Sequence, residues 1–169
     1  TITKIAAGDA QGKVLAEKRM PTASQNGPQD VLHRIALAAK QLCRESGATV
    51  ASVGIGVPGV VDIHQGVTRY LPNFPTHWPD LPVAALLQKE MGCPVHLLND
   101  VKAATLGEMV FGLGRGARSM VFFAIGTGVG GGIVIDGLLH LGPTGSAGEL
   151  GHILVENDGP RCGCGSRGC

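Results

Sequence analysis

Four residues near the end of the chain have the types and the spacing of zinc ligands. One histidine is followed by three cysteines in the pattern H-x9-C-x-C-x4-C, formed by His152, Cys162, Cys164 and Cys169. Three thiolates and one imidazole satisfy the tetrahedral coordination of Zn²⁺, and a site closed by four protein ligands is structural rather than catalytic. Free thiols or a disulfide are the alternatives. An odd, clustered set of cysteines beside a histidine favours the metal.

A second pattern is the glycine-rich segment Gly126-Thr127-Gly128-Val129-Gly130-Gly131-Gly132, which lies between two apolar runs. Backbone N–H groups that no side chain covers can cradle phosphate oxygens. The segment is not a Walker A loop, because no Gly-Lys-Ser/Thr follows it. A strand follows it and not a helix, which excludes a Rossmann fingerprint. By itself the segment is either a phosphate loop or a hairpin without a ligand.

Two further segments place polar side chains where chemistry could occur. Asn99 and Asp100 stand between a buried strand and a helix, and ligands of open α/β sheets bind at such strand ends. A carboxylate there can act as a general base, although Asn and Asp are also common helix caps. Glu149 and His152 lie among small residues and could hold sugar hydroxyls. Alternatively, Glu149 is simply solvated.

The composition limits what kind of protein can position these groups. The chain has 169 residues, of which 44% are hydrophobic and 16% charged, so it can form a core and is not disordered. The 27 glycines suggest tight turns and close backbone approach. The net charge is +1 and no block of basic residues stands out, so the charge pattern does not indicate binding to nucleic acid or to a membrane surface. We expect neither a signal peptide nor a membrane span.

Hydrophobic periodicity predicts strands that alternate with helices, hence an α/β fold with a mixed sheet. The region from Leu138 to Cys169 is expected to be loop-like, and Asp62 to Trp78 is polar and rich in turn residues. The predicted strands span residues 2–8, 14–20, 50–57, 95–98, 120–125 and 131–135, and the predicted helices span 29–46, 82–91 and about 100–111.

Taken together, several segments resemble the ROK family of repressors, uncharacterised reading frames and sugar kinases. The resemblance covers essentially the whole chain. It is carried by Ile125 through His152 with the downstream cysteines, by Asn99-Asp100 with Leu106-Gly107-Glu108, by the segment 54–62 (GIGVPGVVD), and by Leu71-Pro72-Asn73.

The resemblance implies an actin/hexokinase-like (ribonuclease H-like) ATPase fold of two lobes. Residues 1–112 would form an N-terminal α/β lobe that lacks its first strand, and residues 113–169 would begin the C-terminal lobe. The implied activity is ATP-dependent phosphorylation of a hexose at its primary hydroxyl, as in a glucokinase. The loop from Asp62 to Asp80 would determine which sugar is recognised.

By the same resemblance, Asp100 would be the catalytic base, and His152 would bind zinc through one ring nitrogen and face the sugar with the other. The implied ligands are ATP, Mg²⁺ and a structural Zn²⁺. The implied assembly is a cytoplasmic homodimer or homotetramer without membrane partners. The sugar-binding residues would be Gly59, Asn73, Asn99, Asp100, Glu149 and His152, and the phosphate loop would be Thr127, Gly128, Gly130 and Gly131.

The chain departs from the family pattern in three places. The Asp-x-Gly-Gly-Thr phosphate loop that opens family members is matched only at Thr3-Lys4, and the part that follows the cysteines is missing. We therefore expect a fragment that is inactive alone. Val101-Lys102 replaces the commoner Ala-Asn, and its lysine could tune the base or face solvent. The alternatives to a kinase are the sugar-sensing domain of a ROK repressor, which would need an upstream helix-turn-helix to bind DNA, and an inactive homologue.

Overall fold

The computed structural model describes residues 2–126 and 128–169. Packing divides the chain into two compact units, which we call unit 1 (up to Asp100) and unit 2 (from Val101). The lobe boundary expected after Gly112 stays a prediction. Among the described residues, no helix has both the length and the apolar character needed to cross a bilayer.

Unit 1 alternates strands with helices, as the periodicity predicted. Gly47 and Gly92 end its helices in the left-handed conformation, with φ of 66° and 72°, where glycine carries no steric penalty. Its elements are β1 (Ile2–Gly8), β2 (Val14–Pro21), α1 (Pro28–Ser46), β3 (Val53–Val57), β4 (Val60–Asp62), β5 (Val67–Tyr70), α2 (Val83–Met91) and β6 (Val95–Asn99).

The strand expected from Val50 begins only at Val53. β3 pairs in parallel with β6 from Val53↔Val95 to Val57↔Asn99. The residue before β6 is Pro94, whose carbonyl accepts the Val53 N–H at 2.9 Å. Proline has no N–H with which to extend a ladder. The partner strand therefore fixes where β3 starts. Antiparallel pairing also occurs, between β1 and β2.

A hairpin of β4 and β5 occupies part of the segment 62–78, which was predicted to be rich in turn residues. The Asp62 side chain accepts the N–H groups of His64 at 3.1 Å and Gln65 at 3.0 Å. Gly66 completes the turn at φ 66°. Strands of three and four residues are too short to give an alternation signal, which is why the sequence analysis missed this hairpin.

The core of unit 1 lies between its two helices and its parallel strands. Leu71 and Val83 are fully buried, and Leu87 is 1% exposed. Phe74 and Trp78 meet edge to face with ring centroids 4.6 Å apart. The cluster comprises Val31, Leu32, Ala36, Val57, Val61, Leu71, Phe74, Trp78, Val83, Leu87, Val95 and Leu97.

Unit 2 is built on an antiparallel sheet in the order β7-β8-β9. β9 falls in the region expected to be loop-like, so that expectation was wrong for these three residues. Asp136 and Gly137 join β8 to β9 with φ of 51° and 77°, which is the two-residue turn that favours hairpins. The elements are α3 (Asp100–Phe111), which starts on the last residue of unit 1, β7 (Met120–Ile125), β8 (Val129–Ile135) and β9 (Leu138–His140).

Candidate functional site

In unit 1, two of the predicted site residues lie where β6 passes directly into α3. β6 ends at Asn99 and α3 begins at Asp100 with no loop between them. β3 ends alongside, because Val57 pairs with Asn99. Since β3 and β6 are parallel, their carboxyl ends lie at one edge, which is where open α/β sheets bind ligands. Asn99 is buried there and Asp100 is exposed.

Gly59 belongs to the same edge. The Asn99 side chain donates from Nδ2 to the Gly59 carbonyl oxygen at 3.1 Å. Gly59 has φ 98°, and a Cβ there would overlap the Tyr70 carbonyl oxygen and lie 2.7 Å from Pro72 Cδ. Backbone conformation and packing therefore both require glycine at this position. Gly59 and Asn99 come together, and their contact with a sugar stays a prediction.

Asn73 is exposed on a loop, residues 71–80, whose shape is fixed by its own contacts. The buried Leu71 donates its N–H to the His77 carbonyl oxygen at 2.8 Å. The rings of Tyr70 and His77 stack with centroids 4.7 Å apart. These contacts hold Asn73 on a constrained segment, and its contact with a sugar stays a prediction.

An ion-pair network joins the two ends of the loop that was expected to read the sugar. Arg69 donates to Asp80 at 2.6 Å and to Asp62 at 2.8 Å. The backbone N–H of Gln65 and then the guanidinium of Arg69 lower the pKa of the Asp62 carboxyl. The carboxylates of Asp80 and Asp62 raise the pKa of Arg69. The network closes the loop at the surface of unit 1.

In unit 2, the glycine-rich segment divides into a turn and a strand. Gly126 donates its N–H to the Gly128 carbonyl oxygen at 2.9 Å, and a Cβ added at either glycine would meet no atom within 4 Å. Packing in the described residues therefore does not require glycine at these two positions. Thr127 lies outside the described residues.

The other glycines of this segment belong to β8 and have a packing reason. A Cβ on Gly130 would lie 2.7 Å from Val101 Cγ2, and one on Gly131 would lie 2.6 Å from Leu150 Cδ1. One on Gly132 would overlap Thr105 Oγ1. Their glycine identity is explained without a ligand, so the assignment of Gly130 and Gly131 to a phosphate loop stays a prediction.

Glu149 is held by a residue that the sequence analysis did not place in the site. Lys102 was expected either to tune the base or to face solvent. Because it is 3% exposed, the second expectation is wrong. Its Nζ donates to the Gly145 carbonyl oxygen at 2.6 Å and to Glu149 Oε1 at 3.1 Å. Lys102 lies three residues before Thr105, which is also buried, on one face of α3. The sequence carried no signal of this role.

The predicted zinc ligands come together. Their ligand atoms all lie within 4.8 Å of one another, in the set His152, Cys162, Cys164 and Cys169. His152 Nδ1 is 3.6 Å from Cys162 Sγ, and Cys164 Sγ is 3.7 Å from Cys169 Sγ. A tetrahedron with Zn–S of about 2.3 Å and Zn–N of about 2.0 Å has ligand separations of about 3.5 to 3.8 Å. The four residues fit zinc.

The backbone of 152–169 sets this spacing without a hydrophobic core. Cys162 donates its N–H to the Ser166 carbonyl oxygen at 2.9 Å, and Gly168 donates to the Pro160 carbonyl oxygen at 3.0 Å. A Cβ on Gly168 would overlap the Glu156 carbonyl oxygen. Glycine is thus needed for the segment to close on itself.

The pKa values of the Cys162 and Cys169 thiols are shifted in opposite directions. Hydrogen bonds from Cys164, the backbone one first, lower the pKa of Cys162 to about 7. Burial and then the neighbouring thiols raise the pKa of Cys169 to about 11. A metal ligand must be a thiolate, so zinc binding would release protons from this cluster.

The sequence profile of the ROK family matches residues 1–169. The chain therefore belongs to the ROK family, and the expected actin/hexokinase-like α/β fold is confirmed by the solved ROK hexokinases and glucokinases that it resembles.

Among its relatives is a glucokinase of Thermotoga maritima, 44% identical over 158 residues, which cover 94% of this chain and 49% of the relative. A ROK family glucokinase from Streptomyces griseus, solved in complex with glucose and AMPPNP, superposes with a TM-score of 0.83 at 37% identity, covering 100% of this chain and 55% of that one. A ROK family transcriptional regulator, a homologue of the E. coli MLC protein, superposes with a TM-score of 0.85 at 32% identity. The match covers 99% of this chain and 42% of the regulator. The chain spans about half the length of the curated relatives it matches.

Proposed function

We propose that the protein is an ATP-dependent hexose kinase of the glucokinase type, which phosphorylates the primary hydroxyl of its sugar. The observation that carries the proposal is an exposed carboxylate, Asp100, set between β6 and α3 at the carboxyl edge of a parallel strand pair. The names of the Thermotoga maritima and Streptomyces griseus relatives, and the glucose and AMPPNP bound to the second, support the same reading.

In this proposal Asp100 accepts the proton of the attacking hydroxyl. The transition state of phosphoryl transfer is loose, so catalysis depends mainly on positioning and on charge stabilisation. A carboxylate at a fixed position is then a sufficient base. Gly59, Asn73 and Asn99 would contact the sugar, and Glu149 and His152 would bind sugar hydroxyls.

The open turn of unit 2 would contact phosphate. An added Cβ at Gly126 or Gly128 meets nothing within 4 Å, which is the condition for a ligand to approach backbone N–H groups. Thr127, Gly130 and Gly131 complete the proposed loop. ATP would supply the phosphoryl group, with Mg²⁺ neutralising its charge.

Zinc would act on the sugar site through His152. The Nδ1 atom faces Cys162 Sγ at 3.6 Å, which leaves Nε2 as the ring nitrogen that can meet a hydroxyl. A metal bound on one side of an imidazole fixes its tautomer and its orientation. The proposal further includes a cytoplasmic homodimer or homotetramer without nucleic-acid or membrane partners.

The second candidate is the sugar-sensing domain of a repressor. The likeness to the ROK transcriptional regulator favours it, since that structure superposes on this chain as well as the glucokinase does. A repressor needs the sugar ligands and the zinc but no base. The two candidates therefore differ in what Asp100 does.

The test is ADP release by the full-length protein against a panel of hexoses with ATP and Mg²⁺. We expect hexose-dependent release, and we expect Asp100→Asn to lower kcat by about 100-fold or more. Sugar affinity measured by calorimetry should change only a few-fold. Asp158→Asn, an exposed aspartate of unit 2, is the control and should keep full turnover. Sugar binding without any ADP release would favour the repressor.

A further inference from the structure

In unit 2 a buried lysine forms an ion pair with a half-exposed glutamate. We propose that Lys102 is a positioning residue, which fixes Glu149 in the orientation that binds a sugar hydroxyl. The inference rests on the proposed function, because it concerns the sugar site of a hexose kinase. It assigns to Lys102 a part in sugar affinity and none in the transfer of the phosphoryl group.

The geometry makes Lys102 a clamp on one short segment. Its Nζ bonds the Gly145 carbonyl oxygen at 2.6 Å and Glu149 Oε1 at 3.1 Å, so one ammonium group ties two points four residues apart. Further contacts fold the segment between them. Ala147 donates its N–H to the Leu141 carbonyl oxygen at 3.0 Å, and Gly148, at φ 85°, lies against Gly132.

The two partners differ strongly in burial. The Lys102 side chain is 4% exposed and that of Glu149 is 47% exposed. A buried ammonium must keep its acceptors, because an unpaired charge away from water is costly. Burial therefore holds the Lys102 ammonium in place, and this ammonium in turn holds the carboxylate of Glu149. Its engagement of Oε1 leaves Oε2 of Glu149 for a ligand on the exposed side.

A carboxylate fixed in advance binds a hydroxyl more tightly than one that must be ordered by the ligand, because the side-chain entropy has already been lost. A carboxylate oxygen only accepts hydrogen bonds, so the group it would select is a hydroxyl with a proton to donate. Loss of Lys102 should therefore weaken the binding of the sugar and leave the binding of ATP unchanged.

The experiment uses the full-length protein and two variants, Lys102→Met and Lys102→Gln, each made with and without Glu149→Gln. We expect Lys102→Met to raise KM for the hexose by about tenfold, with kcat and KM for ATP changed less than about threefold. Lys102→Gln should likewise raise KM for the hexose while changing kcat and KM for ATP little. Lys89→Met, an exposed lysine on α2, is the matched control and should leave all three parameters unchanged.

The double variants separate a positioning role from a structural one. If Lys102 acts through Glu149, then Lys102→Met should add less than about twofold in KM when Glu149→Gln is already present. Additive effects would overturn the inference, as would an unchanged hexose KM in both single variants. Loss of folding in both would also overturn it, since Lys102 would then be a structural residue.

A failure of the proposed function gives a different result. No hexose-dependent ADP release from the unmodified protein would remove the kinase proposal. An unchanged hexose KM in Glu149→Gln would remove Glu149 from the sugar site. A raised KM in Glu149→Gln with a normal KM in both lysine variants would overturn only the inference about Lys102.

Discussion

Unit 1 and unit 2 exclude water with different residues. In unit 1 most of the fully buried side chains are apolar, among them Leu71, Leu87, Val31 and Val83, and the polar Thr68 lies with them. In the described part of unit 2 the buried positions are Val134, two polar residues (Lys102 and Thr105), and a set of glycines, namely Gly114, Gly131, Gly132, Gly148, Gly159 and Gly168.

The difference teaches what holds each unit together. Apolar burial contributes about 25 cal/mol per Å², so side chains such as Leu87 supply most of the stability of unit 1. A buried glycine supplies almost none of that term, but it lets two backbones approach. Unit 2 must therefore depend on close backbone contacts, on the Lys102 ion pair and on the proposed zinc. Four measurements on the full-length protein test this contrast.

Removal of one proposed zinc ligand should have the largest effect, and only in unit 2. Structural zinc contributes apparent binding energies of about 10 kcal/mol or more in small domains. We expect Cys164→Ser to accelerate amide hydrogen exchange in residues 152–169 by on the order of 1,000-fold. Exchange in α1 should not change. Cys43→Ser, which alters a thiol of α1, should leave residues 152–169 protected.

Undiminished protection of residues 152–169 after verified loss of zinc would contradict the metal as the main support of this segment. The backbone bonds that report on it include those from Cys162 to Ser166 and from Gly168 to Pro160. The same experiment with a chelator instead of a mutation should give the same pattern.

Truncation of a core leucine should destabilise unit 1 by the next largest amount. Leu87 is 1% exposed and Leu86, its neighbour on α2, is 36% exposed. We expect Leu87→Ala to lower the free energy of unfolding by about 2 to 5 kcal/mol because it leaves a cavity. Leu86→Ala should cost less than about 1 kcal/mol. Equal losses for the two variants in urea unfolding would refute the apolar account of unit 1.

Substitutions within the glycine-rich segment should separate packing from ligand binding. Gly132→Ala places a Cβ on Thr105 Oγ1, and such overpacking costs about 1 to 3 kcal/mol. Gly128→Ala meets no neighbour and should leave thermal stability within about 0.5 kcal/mol. If the turn contacts phosphate, Gly128→Ala should still raise KM for ATP. A normal KM for ATP would remove the turn from the proposed site.

The smallest effect is expected from the ion pairs of Arg69 with Asp62 and Asp80 at the surface of unit 1. The carboxyl of Asp62 has its pKa lowered below 3.8, first by the Gln65 N–H and then by Arg69. Arg69→Met should raise that pKa toward 3.8 without reaching it, because the backbone bond remains. Carbon-13 NMR titration of the carboxyl measures the shift. Complete recovery of 3.8 would show that the arginine alone is responsible.

The sign of the corresponding pH effect follows from the direction of the shift. A carboxyl whose pKa is lowered by folding stabilises the folded state above its unfolded pKa, and that contribution is lost as the pH falls through the folded pKa. Asp62→Asn should therefore flatten the stability profile only below about pH 4. Surface pairs of this kind contribute little at neutral pH.

Much of the fold was predictable because its signals are local. The apolar spacing of Leu32, Ile35, Ala39 and Leu42 predicted α1, and Gly47 marked its end. The family pattern added the fold class, since it joins motifs spread over the whole chain. By contrast, the hairpin of β4 and β5 was missed, because strands of three and four residues give no periodicity.

By itself, the sequence determined which histidine and cysteines cluster as a predicted zinc site and the junction at which Asn99 and Asp100 stand, because both depend on residue type and on short spacing. Only the tertiary structure decided which glycines are needed for packing and where Lys102 points. Two acceptors of Lys102 lie 43 and 47 residues away. A lysine is buried only where the folded chain brings it such partners, since without them its charge would stay in water.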